Sequence, residues 1–471
     1  MAARTYDCIV IGSGPGGYVA AIRSAQLGKK TAVIERDKVG GRCLNYACIP
    51  AKAVLRSADL LSEIRDSEEY GLKVSGVEVD YAAVQARRDR VVSTLTSGVA
   101  GLFKKDAIDL IEGDATLTAD GAVSVEGELI SAQTVILATG SVPRAIPGVE
   151  FGGRVIGTEE AWALKQLPAR LAVAGCGASG AEIASAFARL GSEVILLEAL
   201  DRALPTEDSD ISRLVERGLK QQGIDVQKSA PVADVQSSER GVSFTYGAPA
   251  TDGAAGNRVD AVAARAEVDY LVIAAGRGAD VEGLGLADAG VELEERGLVK
   301  VDGALRTSRP GVYAIGDLVA GPALAHKASD EGVIAVEDSA GRPTHPLSYV
   351  DIPRATFCEP NVGSFGLTEA QAREQGYDVV VGKVKYGAVG GGIVYGDPAG
   401  LVKVVGESKY GELLGGHIVG TRATELIQEL VNVRALEGGF AEVGQIVHGH
   451  PTLSEAVMEA GRAADGWFIH G

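Results

Sequence analysis

The chain has 471 residues, 46% hydrophobic and 23% charged, the balance of an ordinary globular protein of about three domains, with room for four short ones. Its formal net charge of −18 argues against nucleic-acid binding, since no basic stripe offsets phosphate repulsion, and is enough to account for solubility. No apolar run is long enough to span a bilayer. Residues Met1–Tyr6 lead almost directly into a strand, leaving no room for a signal peptide, and five cysteines are an odd count for a secreted disulfide framework, so a cytoplasmic location is expected.

The first predicted strand, Cys8–Ile11, runs into Gly12-Ser13-Gly14-Pro15-Gly16-Gly17, which opens a helix from about Pro15 to Leu27. Glycines at Gly12, Gly14 and Gly17 allow a tight turn and close backbone approach to a pyrophosphate resting on the helix N-terminus. A second strand, Thr31–Ile34, ends in Glu35, placed to accept hydrogen bonds from ribose hydroxyls. One glycine fingerprint is weak; strand, glycines, helix, strand and acid in sequence make a strong dinucleotide signal.

Next come Cys43 and Cys48, in Gly41-Arg42-Cys43-Leu44-Asn45-Tyr46-Ala47-Cys48-Ile49-Pro50. On a regular helix, positions five apart lie roughly 8–9 Å from one another, beyond the limit of about 7 Å for an unstrained disulfide. Bridging them requires a distorted turn, and Pro50 helps by removing an N–H that would bond Tyr46. A strained, accessible disulfide is readily reduced; two buried apolar thiols are the plainer alternative.

After a returning strand, Thr134–Leu137, that ends at Ala138-Thr139-Gly140, the dinucleotide unit recurs. Strand Leu171–Ala174 leads into Gly175-Cys176-Gly177-Ala178-Ser179-Gly180, and Val194–Leu197 ends in Glu198. Each acid lies 23 residues after the first glycine of its fingerprint, so the copies are offset by 163 residues with their internal spacing kept. A chance turn explains one copy, hardly both. The Ala/Gly-rich stretch from Gly247 to Ala264 reads as a long hairpin loop. Strand Asp269–Ile273 closes the second unit at Ala274-Ala275-Gly276, and Gly311–Ile315 delivers Gly316-Asp317. Beyond about residue 346, strands such as Gly400–Val405 alternate with helices such as Thr424–Glu437, an α+β pattern. The expected divisions are 1–148, 149–275, 276–345 and 346–471.

With these residues on the page, the chain resembles the flavin-dependent pyridine nucleotide–disulfide oxidoreductases over essentially its whole length. The specific marks are Cys43-x4-Cys48 with Ile49-Pro50-Ala51-Lys52, Ala138-Thr139-Gly140, Gly316-Asp317, Leu324-Ala325-His326-Lys327-Ala328 and His450-Pro451-Thr452-Leu453-Ser454-Glu455. Within the family it is most similar to the dihydrolipoamide-oxidising dehydrogenases that serve 2-oxoacid dehydrogenase and glycine cleavage complexes. The resemblance implies an α/β fold with two Rossmann-like dinucleotide-binding domains, a central domain completing the FAD site and a C-terminal α+β dimerisation domain. It assigns FAD to the first fingerprint and NAD to the second, an order that glycine spacing cannot decide, with Gly140, Asp317, Ala325 and Gly276 among the cofactor-binding residues. Electrons would run from a protein-bound dihydrolipoyl group to Cys43–Cys48, then FAD, then NAD+. Cys43 would exchange with substrate, while Cys48 would face the flavin.

Lys52, one helical turn beyond Cys48, would stabilise negative charge on the flavin. Glu182 would pair with that lysine beside the nicotinamide, although on spacing alone it is equally a helix-start acid. Asp317 would bind ribitol hydroxyls, its alternative being a turn aspartate. His450 and Glu455 would supply the base that ionises a dihydrolipoyl thiol, acting on the partner subunit's disulfide within a homodimer. His448, nearby, is expected to be solvated or supporting. Glu198 favours NAD over NADP because a carboxylate repels a 2′-phosphate, and Arg202 is expected in solvent. No metal ligand set is expected. A lipoylated acyltransferase core or carrier protein would be the partner, reached partly through the acidic charge.

Several positions depart from the pattern common in the dehydrogenases. Arg42 stands where a small or β-branched residue is usual, Tyr46-Ala47 and Ala51 differ, and Ala178-Ser179 replace bulkier residues. Arg42 should favour thiolate or recognise an anionic substrate. The competing readings are therefore an NAD(P)H-dependent reductase of another small disulfide and a lipoyl-binding scaffold with slow catalysis. A mercuric reductase would need a C-terminal cysteine pair, which Trp467–Gly471 lacks.

Overall fold

A computed structural model describes residues 4–247 and 263–470. They gather into two compact units: residues up to Ala53 with Ala82–Arg144 and Gly276–Tyr349, and Val54–Tyr81 with Ala145–Ala275 and the chain from Val350 onward. Two of the four segments expected from sequence thus share each unit, and Val54–Tyr81 goes with the second.

In the first unit a sheet is ordered Asp109–Glu112, Thr31–Glu35, Arg4–Ile11, Glu128–Leu137, Val123–Val125 and Ala115–Leu117. Its first four strands are parallel; the Val/Ile runs that predicted three of them are buried on both faces, as parallel strands covered by helices must be, while Asp109–Glu112 is a mostly exposed edge strand. Glu128–Leu137 is long enough to serve two neighbours besides Arg4–Ile11. Its start pairs antiparallel with Val123–Val125, and its end pairs parallel with Val312–Ala314, which is how Gly316-Asp317 comes to lie at the same sheet edge as the first fingerprint. Helices Pro15–Gln26 and Ala325–Ser339 cross closely because Gly332 faces Gly16: a Cβ on Gly332 would lie 2.6 Å from the Gly16 carbonyl oxygen. A 25-residue helix, Tyr81–Lys105, was not foreseen.

The second unit repeats the plan. Its parallel sheet is ordered Asp225–Gln227, Glu193–Leu197, Arg170–Ala174, Tyr270–Ile273 and Val155–Gly157. A three-stranded antiparallel sheet includes Gly241–Tyr246 and Ala264–Val268, with Tyr246 opposite Ala264; the loop expected between them lies outside the described residues. The C-terminal sheet is antiparallel, in the order Arg354–Thr356, Val362–Gly366, Leu413–Val419, Leu401–Glu407 and Val379–Lys385. Helices Ala423–Ala435 and Ser454–Ala464 pack against it around Phe365, Val402, Leu430 and Val457.

One ion cluster ties that sheet to helix Ser209–Gln221. The Lys403 ammonium, 1% exposed, bonds both carboxylate oxygens of Asp208 at 2.8 and 2.9 Å, and lies 2.9 Å from Asp210 and from Glu369. Burial pushes the Asp210 carboxyl up, but Lys383 and Lys403 outweigh it and hold it at about 2. A depressed carboxylate contributes stability above its unfolded value of about 4 and loses it as pH falls through the folded value. Lys403→Met should therefore cost about 3–5 kcal/mol by stranding buried carboxylates. Denaturant titration should show the deficit largest at neutral pH and shrinking below about pH 4.

Candidate active site

Both fingerprints fold alike at the level of single atoms. Gly12 takes φ +98°, and a Cβ there would lie 2.4 Å from the Ala138 carbonyl oxygen; a Cβ on Gly17 would lie 2.0 Å from the Gly12 oxygen. Gly175 takes φ +107° with its Cβ position 2.6 Å from the Ala274 oxygen, and that of Gly180 lies 1.9 Å from the Gly175 oxygen. Outer glycines are thus packing requirements, seating helices Pro15–Gln26 and Ala178–Leu190 on their sheets. Middle glycines differ. Gly14 and Gly177 meet nothing within 4 Å, and each is the N-cap of its helix with no side chain capping it. Uncapped N–H groups facing open backbone fit an incoming phosphate, so both cradles suit a dinucleotide.

The acids are tied to these loops. Glu35 accepts the Ser13 N–H at 2.9 Å and hydroxyl at 2.6 Å; Glu198 accepts the Cys176 N–H at 2.7 Å and the Leu200 N–H at 2.9 Å. Arg202 is not in free solvent as expected, since its guanidinium donates to the Pro205 carbonyl at 2.8 Å. Gly140 and Gly276 both take positive φ in open space, +83° and +121°, the latter where the chain passes between units.

The cysteine pair sits on a broken helix. Helix Gly41–Asn45 ends where the Tyr46 and Ala47 N–H groups bond the Arg42 carbonyl at 2.8 and 3.0 Å, and helix Cys48–Arg65 starts afresh with Ala51 donating to Ala47. The two thiols are hydrogen-bonded to each other, which with burial holds Cys43 above the usual thiol range, while Lys52 and Arg42 act to lower it. Arg42 thus acts on the pair in the direction expected of it, and Lys52, expected to act on the flavin, acts on the cysteines as well. The segment is braced on the first fingerprint. Ser13 Oγ accepts the Gly40 N–H at 3.2 Å, and a Cβ on Gly41, at φ +56°, would lie 2.7 Å from Gly14 Cα.

Asp317 accepts the Ser141 hydroxyl, and Arg277 donates to the same hydroxyl oxygen at 2.8 Å. Behind it Gly316, at φ +71°, is clamped from both sides. Its N–H donates to Glu331 at 2.7 Å and its carbonyl accepts from Lys327 at 2.7 Å, with Tyr349 completing the set by a 2.6 Å bond to Glu331. Ala325 stands at the first position of the helix that carries Lys327 and Glu331. Glu331 and Tyr349 were missed from sequence; the i,i+4 spacing of Lys327 and Glu331 was the available signal.

In the second unit, Glu182 is 5% exposed and accepts the Phe357 N–H at 2.9 Å. His450 Nδ1 lies 2.9 Å from Glu455 Oε1, and the other Glu455 oxygen accepts the Thr452 N–H at 2.8 Å. Burial raises the Glu455 carboxyl, but the Thr452 N–H and His450 outweigh it and keep it ionised below the usual range. His448 is not solvated: its side chain is 5% exposed and bonded to Glu429. Among the described residues no cluster of metal-ligating side chains is found, and no helix is long and apolar enough to cross a membrane.

Residues 6–332 match the pyridine nucleotide-disulphide oxidoreductase family and residues 352–461 match its dimerisation domain. The chain belongs to that family, whose FAD- and NAD(H)-dependent disulfide chemistry makes it an oxidoreductase and whose dimerisation domain makes its working form a homodimer. It is 40% identical to a dihydrolipoyl dehydrogenase of Bacillus subtilis (strain 168), covering 98% of this chain and 97% of the relative. It is 42% identical to another of Chlorobaculum tepidum, covering 97% of each. Among solved structures it is similar to LpdA from Mycobacterium tuberculosis, with TM-score 0.87, 25% identity and coverage of 97% and 99%. It also resembles the HOCl-induced flavoprotein disulfide reductase RclA from Escherichia coli, with TM-score 0.83, 27% identity and the same coverage.

Gly41→Ala, by driving a methyl group into Gly14 at a positive φ, should give protein purified with about tenfold less flavin or none. The ratio of flavin to protein absorbance checks this.

Proposed function

We propose that the chain oxidises protein-bound dihydrolipoyl groups to the lipoyl disulfide with NAD+, in the cytoplasm, as the dehydrogenase component of a 2-oxoacid dehydrogenase or glycine cleavage complex. The observation that carries the reading is the ionised Glu455 bonded to His450 Nδ1 on an otherwise exposed ring, beside the full-length likeness to dihydrolipoyl dehydrogenases. The four sequence divisions then correspond to FAD-binding, NAD-binding, central and interface domains.

With Nδ1–H donated to Glu455, His450 Nε2 keeps its lone pair for a dihydrolipoyl thiol. The resulting thiolate attacks the Cys43–Cys48 disulfide of the partner subunit at Cys43, forming a mixed disulfide and releasing Cys48 as thiolate. The second substrate thiol, giving up its proton, displaces Cys43 and leaves as the lipoyl disulfide. One electron pair has then passed from substrate to the cysteine pair. FAD, when bound, supplies the two-electron link from that dithiol to NAD+. Gly12, Gly14, Gly17, Glu35, Gly140, Asp317 and Ala325 would hold it, with Lys52 stabilising its negative charge, while Gly175, Gly177, Gly180, Glu182, Glu198 and Gly276 would serve NAD+. Arg202, tied to its own loop, supports NAD over NADP. A second reading, reduction of a small anionic disulfide, draws on the positive charge that Arg42 sets beside Cys43 and on the likeness to RclA.

Anaerobic turnover of dihydrolipoamide should be fast with NAD+ and slow with NADP+, and His450→Gln should lower it by about 10²–10⁴-fold. Cys48→Ser should abolish the long-wavelength absorbance of the two-electron-reduced enzyme. Flavin reduction by NADH without lipoamide turnover would favour the second reading. With a net charge of −18 per chain, docking on a basic peripheral domain of an acyltransferase should weaken steadily as salt rises; a salt-independent Kd in calorimetry would remove charge from the recognition.

A further inference from the structure

We infer that His448 and Glu429 form a second histidine–carboxylate ion pair that positions the catalytic base. The inference rests on His450 being that base. The two histidines stand two residues apart in opposite surroundings, the His448 side chain 5% exposed and that of His450 75%. His448 Nε2 is bonded to Glu429 Oε1, and Nδ1 lies 2.7 Å from the Ile446 carbonyl oxygen. A carbonyl oxygen only accepts, and so does an ionised carboxylate. Both ring nitrogens must therefore donate, and a ring that donates twice is an imidazolium. A neutral ring would leave a nitrogen lone pair against an oxygen.

Glu429 belongs to helix Ala423–Ala435, while Ile446 directly follows helix Phe440–Gln445. The charged ring therefore staples the approach to His450 onto a packed helix. Only Gly449 separates the two histidines, and its carbonyl accepts the Thr452 hydroxyl at 2.7 Å. On the far side Glu455 holds both His450 and the Thr452 N–H. His450 is thus suspended between two carboxylate anchors, Glu429 before it and Glu455 after it.

The groups that act on the His448 ring are Glu429 from one helix and Arg462 from helix Ser454–Ala464, besides the Ile446 carbonyl of its own loop. Arg462 opposes the ring's charge but is itself engaged by Glu459 at 2.7 Å and the Gly444 carbonyl at 3.0 Å. The Glu429 bond prevails and holds His448 above the ordinary histidine range. A raised pKa means the charged anchor is fully present below the ordinary value of about 6.5 and is lost only as pH rises through the folded value.

Glu429→Gln separates charge from shape. Glutamine still offers an oxygen to Nε2, but His448 would deprotonate near its ordinary value of about 6.5. In the holoenzyme dimer, kcat for dihydrolipoamide relative to wild type should be close to one at about pH 6 and fall about tenfold by about pH 8, with KM little changed. His448→Asn should carry the loss at every pH. In ¹⁵N-histidine spectra at neutral pH, both nitrogens of the ring that disappears in His448→Asn should show protonated shifts. A pH-independent ratio for Glu429→Gln, or a neutral His448 ring, overturns this inference alone while His450→Gln stays inactive. Wild-type turnover in His450→Gln overturns the base assignment and this inference with it.

Discussion

Everything else in the molecule depends on two places where backbone touches backbone with no room for a side chain. A Cβ on Gly17 would lie 2.0 Å from Gly12, and one on Gly180 would lie 1.9 Å from Gly175. Such contact lets a helix start directly off the end of a strand, with no side chain capping its first N–H groups. Because those groups are left uncapped, the helix start is incomplete in the protein's own terms. The cysteine segment extends the same constraint. Gly41 rests on Gly14, so the reactive pair takes part of its position from the first fingerprint.

Ionised groups take over where burial would otherwise be costly. Lys327 is buried yet bonded to a backbone carbonyl and to Glu331, so its charge locks the Gly316 turn that presents Asp317. Lys403 joins a strand to the N-terminus of a helix through three carboxylates. Arg189, 3% exposed at its side chain, bonds Asp59 at 2.6 Å and holds Val54–Tyr81 to the second unit. For Lys403 and Arg189 one long cationic side chain joins elements far apart in sequence. Breaking such a pair by removing one partner strands a buried charge, which is strongly destabilising.

Much of this was legible in the sequence because it depends on local spacing. Glycine triplets, the acids 23 residues on, the cysteines and the His450–Glu455 motif each declare themselves within a short window. Strand ends were read closely where Val and Ile runs stop at glycine. What escaped is non-local or chemically bland. Helix Tyr81–Lys105 carries a long polar face that reads as unremarkable sequence. Glu331 and Tyr349 acquire meaning only when a turn from another element arrives between them and Lys327. The partner of His448, Glu429, escaped because it is 19 residues away on another helix. Arg202 was misplaced for the opposite reason: its acceptor is a carbonyl of its own loop, and backbone acceptors leave no trace in residue identity.

The break at Tyr46–Ala47 has a mechanical consequence. The cysteines belong to two separate helices joined by a two-residue joint, and each helix closes its own hydrogen-bond ladder without the other. Making or cleaving a bond between the sulfurs therefore needs only a small turn at that joint and no unwinding on either side. Redox state is thereby kept local, and a protein cycling between oxidised and reduced forms can do so without unwinding either helix.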